Sequence, residues 1–487
     1  ALALAGCGGG GDDAASPLDD ALGYLSEDAP FAVSIDTDIR GAQYDALGRI
    51  AGRFPFGEQL KQRLKDTVEE QGGRLEDIEP LLGNEFVLGA ARVDSLTGTT
   101  SDTDDFVGAI KTRSADKLEA TVKREKAVEE GERNGAKVYR DNDGDPFAVK
   151  DDVLIVAGSR GQLESALAQR EADDRLTEET FEEGTRGLPK DALLRVYGDL
   201  QRILAADPTT KDARRIKWVK ALRTFGATAS FKGDEANVDF RLNTEAADLT
   251  EEDLPFASGS DAPSVIDRAG EIAAAVKDPA QIVDFAERAA QATDPAGFGD
   301  FETLKRAVEK ELDIDIERDV LKQLEGEVAV TFAVNGNYGV RAELKDPDEF
   351  DRTLAKVGKV LPKVAERVAG KPVRYARPAK GGDFYALATA DGERIVYGVK
   401  DGVFVLASDS RRARQLAKKP TKSVPATKGA VVVNADAEQV ARRILGQLQG
   451  QRPRLLGRLL TAPLDELTGS MSAARDGVTG NFKLTFD

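Results

Sequence analysis

The sequence predicts an α+β protein of two duplicated domains, each a mostly antiparallel twisted sheet with helices packed on one side. Three observations predict it. The second half repeats segments of the first in the same order, strands run repeatedly into capped helices, and tight-turn signals separate neighbouring strands.

The repeat is visible residue by residue. Val149-Lys150-Asp151-Asp152-Val153-Leu154-Ile155-Val156-Ala157 returns as Val399-Lys400-Asp401-Gly402-Val403-Phe404-Val405-Leu406-Ala407. Leu82-Gly83-Asn84-Glu85-Phe86-Val87-Leu88 corresponds to Leu324-Glu325-Gly326-Glu327-Val328-Ala329-Val330. An amphipathic helix precedes each, stepping Leu60-Leu64-Val68 and Leu304-Val308-Leu312. Phe240-Arg241-Leu242 and Phe482-Lys483-Leu484 stand near the two ends. The acidic, then Gly/Ser/Pro-containing stretch 248–263 reads as a linker, which sets copy one at 18–247 and copy two at 264–487.

Within each copy a strand leads into a helix whose first turn needs a side-chain acceptor. Phe31–Ile35 leads to the helix around Tyr44, Leu47 and Ile50; Phe106–Ile110 leads to Ser114; Leu193–Tyr197 leads to Asp199. The second copy offers Ile272–Val276 with Asp278-Pro279, Val340–Leu344 with Asp346-Pro347, and Val431–Val433 with Asp436. Asp followed by Pro suits an N-cap and the first helical residue, since the N–H that Pro lacks would be unpaired there anyway. Turn signals at Asn142-Asp143-Gly144, Lys232-Gly233-Asp234, Gly381-Gly382, Asp391-Gly392 and Asp476-Gly477 imply antiparallel neighbours.

Composition bounds the chemistry. A chain of 487 residues, 41% hydrophobic, suits two or three cores, and 86 acidic against 68 basic residues leave a net charge of −18. That balance opposes sequence-independent nucleic-acid binding, which needs bases to neutralise phosphates. Histidine is absent and cysteine occurs once. A Ser-His-Asp triad, a Cys-His pair, imidazole-based metal sites and an internal disulfide are therefore excluded. No catalytic residue, cofactor site or metal site is assigned, and the expectation is a protein that is not an enzyme.

At the amino terminus, residues 1–6 (Ala1-Leu2-Ala3-Leu4-Ala5-Gly6) read as the end of a secretory signal peptide. Leu4-Ala5-Gly6-Cys7 resembles the bacterial lipobox, in which the cysteine is lipidated. Residues 7–17 then form the lipidated Cys7 and a flexible, Gly-rich tether, whose stretch from Gly8 to Pro17 spans roughly 17 Å by random-coil scaling. Membrane attachment through two or more acyl chains on Cys7 would be stable rather than marginal.

Several motifs have a chemical and a plainer reading. Ser114-Ala115-Asp116-Lys117 fits S-x-x-K of serine acyl-enzymes, but S-D-N and K-T-G companions are missing, and Asp346 at the matching position makes helix capping the common explanation. Asp141-Asn142-Asp143-Gly144-Asp145 starts like a calcium loop, yet Pro146 follows and the closing Glu is missing, so a hairpin turn is expected. Asp94 to Asp105 is a polar insertion that could meet a partner. Two basic stretches, Arg214 to Arg223 around Trp218 and Arg442 to Arg458, read as amphipathic helices on the sheet, or else as a surface for anionic lipid. The acidic pairs Glu129-Glu130, Glu178-Glu179 and Glu182-Glu183 could serve a glycosidase only if two carboxylates faced each other across a cleft.

Together, the lipobox, the duplication, the capped units and the Leu82-Gly83-Asn84-Glu85 and Leu324-Glu325-Gly326-Glu327 strand entries resemble a family of uncharacterised bacterial envelope lipoproteins, domains of unknown function. High Ala, Arg, Asp and Gly usage suggests an actinobacterial-type source. The resemblance implies an extracytoplasmic, lipid-anchored protein and carries over no catalytic residues. The leading expectation is non-catalytic binding of an envelope partner or of an apolar ligand held between sheet and helices. A structural or scaffolding lipoprotein is the second, and a carboxylate-dependent hydrolase of wall polymers the third.

Overall fold

The computed structural model describes residues 15–57, 59, 62, 78–90, 105–259, 261–266, 272–333, 336–363, 366, 372–378, 383–389, 394–419, 421–425, 427–447 and 460–487. Helices combine with antiparallel strands, so the fold is α+β. Cys7, the Leu60-Leu64-Val68 step, the turns at 381–382 and 391–392 and nearly all of the 94–105 insertion lie outside the described residues. Two compact units emerge: residues 1–41, 63–186 and 193–198, and residues 42–62, 187–192 and 199–487.

Along the first part of the chain come α1 (Pro17–Leu22), β1 (Phe31–Asp36), α2 (Ala42–Arg53, part of the second unit), β2 (Glu85–Ala90) and β3 (Phe106–Lys111). There follow α3 (Ala115–Arg124), β4 (Val128–Arg133), β5 (Ala136–Arg140), β6 (Pro146–Lys150), β7 (Val153–Ala157), α4 (Arg160–Gln169), α5 (Glu178–Gly184) and β8 (Leu194–Asp199). The first unit's strands pair in the order β4-β5-β6-β7-β3-β2-β1-β8, every pair antiparallel.

The second unit adds α6 (Leu200–Ala206), α7 (Lys217–Ala221), β9 (Leu222–Lys232), β10 (Glu235–Thr244), β11 (Val265–Ile266), β12 (Ile272–Lys277), α8 (Pro279–Thr293) and α9 (Pro295–Leu312). Then come α10 (Ile316–Asp319), β13 (Leu324–Phe332), β14 (Tyr338–Leu344), α11 (Pro347–Val357), β15 (Val373–Ala376), β16 (Tyr385–Thr389), β17 (Arg394–Lys400) and β18 (Val403–Ala407). The last are α12 (Ser410–Lys418), β19 (Thr421–Lys422), β20 (Val431–Asp436), α13 (Ala437–Gln447), β21 (Leu464–Ala474) and β22 (Gly477–Phe486). Its main sheet runs β15-β16-β17-β18-β14-β13-β12-β20-β21-β22-β10-β9, again antiparallel throughout. From β15 to β20 this is the same order as β4 to β8 of the first unit.

The β9–β10 hairpin, which precedes 248–263 in sequence, pairs along β10 with β22 and so extends the second unit's sheet. Part of the 248–263 stretch is itself packed. Leu249 and Leu254 are buried, and Leu254 joins Ala473, Val478, Trp218 and Phe240 in one apolar cluster.

One expectation is corrected. Helices cover the sheet on both faces, not on one side. In the first unit α1 and α4 bring Leu18, Leu22, Leu163 and Leu167 against Val138, Val153 and Ile155. Leu118 and Val122 of α3 pack with Tyr139, Phe147 and Leu154, side chains that alternate to the opposite face. The second unit repeats this, with Ala413 and Leu416 of α12 beside Val403 and Val405, and Phe350 and Leu354 of α11 beside Phe404 and Leu406. The physical reason lies in the unbroken apolar runs Val153-Leu154-Ile155-Val156 and Val403-Phe404-Val405-Leu406, since a strand apolar on both faces needs cover on both.

The capping expectations meet mixed geometry. Ser114 Oγ accepts from Lys117 N at 3.4 Å, Ser159 Oγ from Gln162 N at 3.3 Å, Asp199 from Arg202 N at 3.0 Å, Asp346 from Glu349 N at 2.8 Å and Asp436 from Gln439 N at 2.9 Å. Asp409 accepts from both Arg411 N (2.8 Å) and Arg412 N (2.9 Å). Asp278 differs: it sits at φ +48° and its side chain makes no capping bond, although Pro279 does open α8. The stretch 214–223 is likewise not one helix. A 3-10 turn over Ala213–Arg215 and the short α7 precede Leu222, where β9 begins.

The caps differ in strength by their geometry. Asp409→Ala removes a charged acceptor of two N–H groups at a helix N-terminus and should cost about 1–2 kcal/mol in urea unfolding. Ser114→Ala, losing one long bond, should cost about half of that or less.

Candidate functional site

Among the described residues, one concavity lies in the first unit between α3 and the sheet face it covers. It encloses about 700 Å³. Strand alternation supplies its floor: Leu88 from β2, Phe106 and Gly108 from β3, Leu154 and Val156 from β7, and Phe147 from β6. Leu118 and Val122, one helical step apart on α3, form the facing wall. Val156 remains 38% exposed, so the groove opens to solvent.

Gly108 keeps the floor low. A Cβ there would stand 2.6 Å from Phe86 Cζ and 2.9 Å from Val156 Cγ2, closer than side chains tolerate. Tyr139 and Phe147 stack at 5.2 Å beside it and give the groove a rigid aromatic edge.

The corresponding face of the second unit is occupied. Hydrogen-bond register matches Gly108, which faces Leu88 and Val156, with Val340, which faces Val330 and Leu406. It matches Phe147 with Tyr397 and Leu154 with Phe404. Counted from the caps Ser114 and Asp346, Leu118 matches Phe350 and Val122 matches Leu354. Apart from Leu88, which becomes Val330, each of these positions carries the larger side chain in the second unit. There Phe350 meets Phe404 edge-on at 5.4 Å, and Tyr375, Tyr385 and Tyr397 stack in sequence at 6.3 and 5.3 Å.

One rim of the groove is polar: Thr121, Glu125, Asp141, Asn142, Asp143 and Asp145. Asp141 Oδ1 accepts from Asp143 N at 3.0 Å and Asp145 N at 2.8 Å, and Asn142 Nδ2 donates to Glu125 O at 3.0 Å. With Gly144 at φ +97°, this is the hairpin turn expected for 141–145. Among the described residues no three His, Cys, Asp or Glu side chains converge as metal ligands.

A second concavity of the first unit, about 460 Å³, is charged rather than apolar. Its bases have carboxylate partners: Asp20 takes Lys111 (2.5 Å) and Arg170 (2.7 Å), Lys150 pairs with Glu171, and Arg175 lies 3.8 Å from Asp19. The Arg170 guanidinium also sits over the Tyr24 ring at 5.9 Å. This network ties α1 to β3 and to the end of α4. Burial pushes the Tyr24 hydroxyl up to about 12, against the opposing pull of Arg170.

The remaining sequence candidates are not brought together. Glu129 and Glu130 lie on β4, where Glu130 pairs with Arg140 and Arg160. Glu178 bonds Ser16, and Glu182 lies 3.9 Å from Arg195. Trp218 is partly buried against the Leu254 cluster and meets Phe285 edge-on at 6.4 Å, which does not suit an interfacial anchor. In the second basic stretch, Arg442 pairs with Glu438 and Arg443 donates to Ala333 O, while 448–459 lie outside the described residues. No helix among the described residues is long and apolar enough to cross a membrane. Sequence reasoning, which expected an apolar ligand between sheet and helices, did not identify the residues that line this groove. Its signal was present in the apolar Leu118-Val122 step facing a strand apolar on both sides.

Two outcomes follow. Leu118→Phe combined with Val156→Phe should fill the groove and weaken binding of a neutral apolar fluorophore by roughly tenfold or more without loss of cooperative unfolding. Tyr24 has a folded pKa above its unfolded value of 10.0, so its neutral form contributes fully below that pH and the contribution is lost as pH rises toward 12. Denaturation midpoints of Tyr24→Phe should therefore fall less steeply than wild type over that alkaline window.

Comparison with known proteins gives limited relatives. No curated protein matches the chain. Among solved structures, crystal form I of TP0453 aligns at 10% identity and a TM-score of 0.27, covering 49% of this chain and 82% of that one. Crystal form III aligns at 9% identity and a TM-score of 0.25, covering 47% and 82%. Similarity at that level carries no argument about this chain. A family model, by contrast, matches residues 12–362, running through the 248–263 stretch. The chain belongs to the family described as Protein of unknown function (DUF3352).

Proposed function

We propose that this chain is an extracytoplasmic lipoprotein, acylated at Cys7, whose groove between α3 and the sheet holds an apolar small molecule without catalysing a reaction. The observation that carries the binding reading is the open cavity of about 700 Å³ floored by Leu88, Phe106, Leu154 and Val156. That size and lining fall within the range of small-molecule sites, which are mainly apolar with a few polar groups at the edge. Leaving such a surface wet is unfavourable by roughly 25 cal/mol per Å², so an apolar occupant gains by covering it.

The proposal includes an origin by duplication. Its support is the shared strand order from β4 to β8 and from β15 to β20, together with the sequence matches around Val149–Ala157 and Val399–Ala407. On this reading the copies have diverged: the first keeps a groove, and the second fills the matching place with Phe350, Phe404 and Tyr397. The anchor rests on Leu4-Ala5-Gly6-Cys7 and the glycines after it. An actinobacterial-type source rests on composition alone.

Two measurements test it. Cells expressing the precursor should incorporate labelled acyl chain into the protein and hold it in the membrane fraction, and Cys7→Ser should abolish both; a membrane-bound, unlabelled wild type would remove the anchor. Native mass spectrometry of the gently extracted protein should reveal one small apolar adduct, lost in Leu118→Phe/Val156→Phe. An adduct retained by that variant would place the ligand elsewhere.

A further inference from the structure

Resting on the reading of the groove as a binding site, we infer that its occupant is an amphiphile with a cationic head: the apolar body lies on the sheet and the head meets the acidic rim. Among the described residues the lining holds four ionisable side chains, Glu125, Asp141, Asp143 and Asp145, and no Lys or Arg. The acids all belong to the β5–β6 turn or to the C-cap of α3, and Asn142 joins these two segments through its bond to Glu125 O. Charge is therefore concentrated beside one edge of an otherwise apolar surface.

The rim is not a metal cage. One oxygen of Asp141 is committed to the backbone of its own turn, and Asp143 and Asp145 are exposed. Exposed carboxylates suit a diffuse, weakly hydrated cation such as a quaternary or alkylated ammonium better than a small divalent ion, which needs several converging oxygens. Arg124 competes at one end of the rim, its Nε lying 3.4 Å from Glu125 Oε1. The α3 carbonyl end at Thr121 and Glu125 adds partial negative charge of the same sign. A carboxylate, phosphate or sulfate head would meet mainly like charge from the described residues here.

The experiment is competition against a bound neutral fluorophore on the full chain at about 0.15 M salt, where long-range attraction is screened beyond ~8 Å. Three probes share a twelve-carbon tail and are used below their micelle concentrations: dodecyltrimethylammonium, dodecyl maltoside and dodecanoate. The ammonium should bind roughly tenfold tighter than dodecanoate, as three nearby exposed charges would supply. Glu125→Gln/Asp143→Asn/Asp145→Asn should bring the two within about threefold while leaving the maltoside unchanged. A control, Asp300→Asn/Glu311→Gln/Asp348→Asn, removes as much charge from the second unit and should keep the preference.

Equal binding of all three heads to wild type overturns the head assignment and leaves the groove reading standing. A preference that survives in the rim variant, or vanishes in the control, assigns it to net charge and overturns it too. Displacement by none of the probes overturns both readings.

Discussion

Strands β7 and β18 are apolar on both faces, and much of the architecture follows from that constraint. Val153 and Ile155 point into one core while Leu154 and Val156 point the other way; Val403, Val405, Phe404 and Leu406 do the same. A strand of this kind is stable only when cover exists on each side. On one face α4 and α12 supply it directly, the helices that follow each strand after a capped turn. On the other face α3 and α11 supply it, held by caps at Ser114 and Asp346.

The same constraint yields different surfaces in the two units because side-chain volume differs at matched positions. With Phe350, Phe404 and Tyr397 the second unit closes its face by ring packing, and burial pushes the Tyr397 hydroxyl well above its ordinary range. With Leu118, Leu154 and Gly108 the first unit leaves a groove whose floor is set by the close approach of Phe86 and Val156 to the Gly108 backbone. Backbone register, common to both, decides which residues compete for that space; volume decides whether space is left.

Carboxylates organise the margins of the first unit. Asp20 gathers Lys111 and Arg170 at one edge of the first unit, and Asp141 folds the β5–β6 turn by accepting from its own backbone. These are short-range tasks for carboxylates in a chain with 86 of them. The turn's other acids, Asp143 and Asp145, line one edge of the groove and give it a sign of charge.

The sequence by itself determined the α+β class, the strand-to-helix units, the turn at 142–144 and the exclusion of histidine chemistry, because periodicity, capping residues and composition are local properties. It could not decide that α3 lies opposite α4, since Leu118 and Val122 form a valid apolar stripe whichever face receives them. Nor could it decide that the β9–β10 hairpin joins β22, or that Leu249 and Leu254 are buried. Those depend on which strand edge is open and which apolar residues remain uncovered once the sheet has formed. The groove is a tertiary property in the same sense. It exists because Gly108, Leu118 and Val156, distant in sequence and unremarkable singly, meet at one place and together leave a volume unfilled.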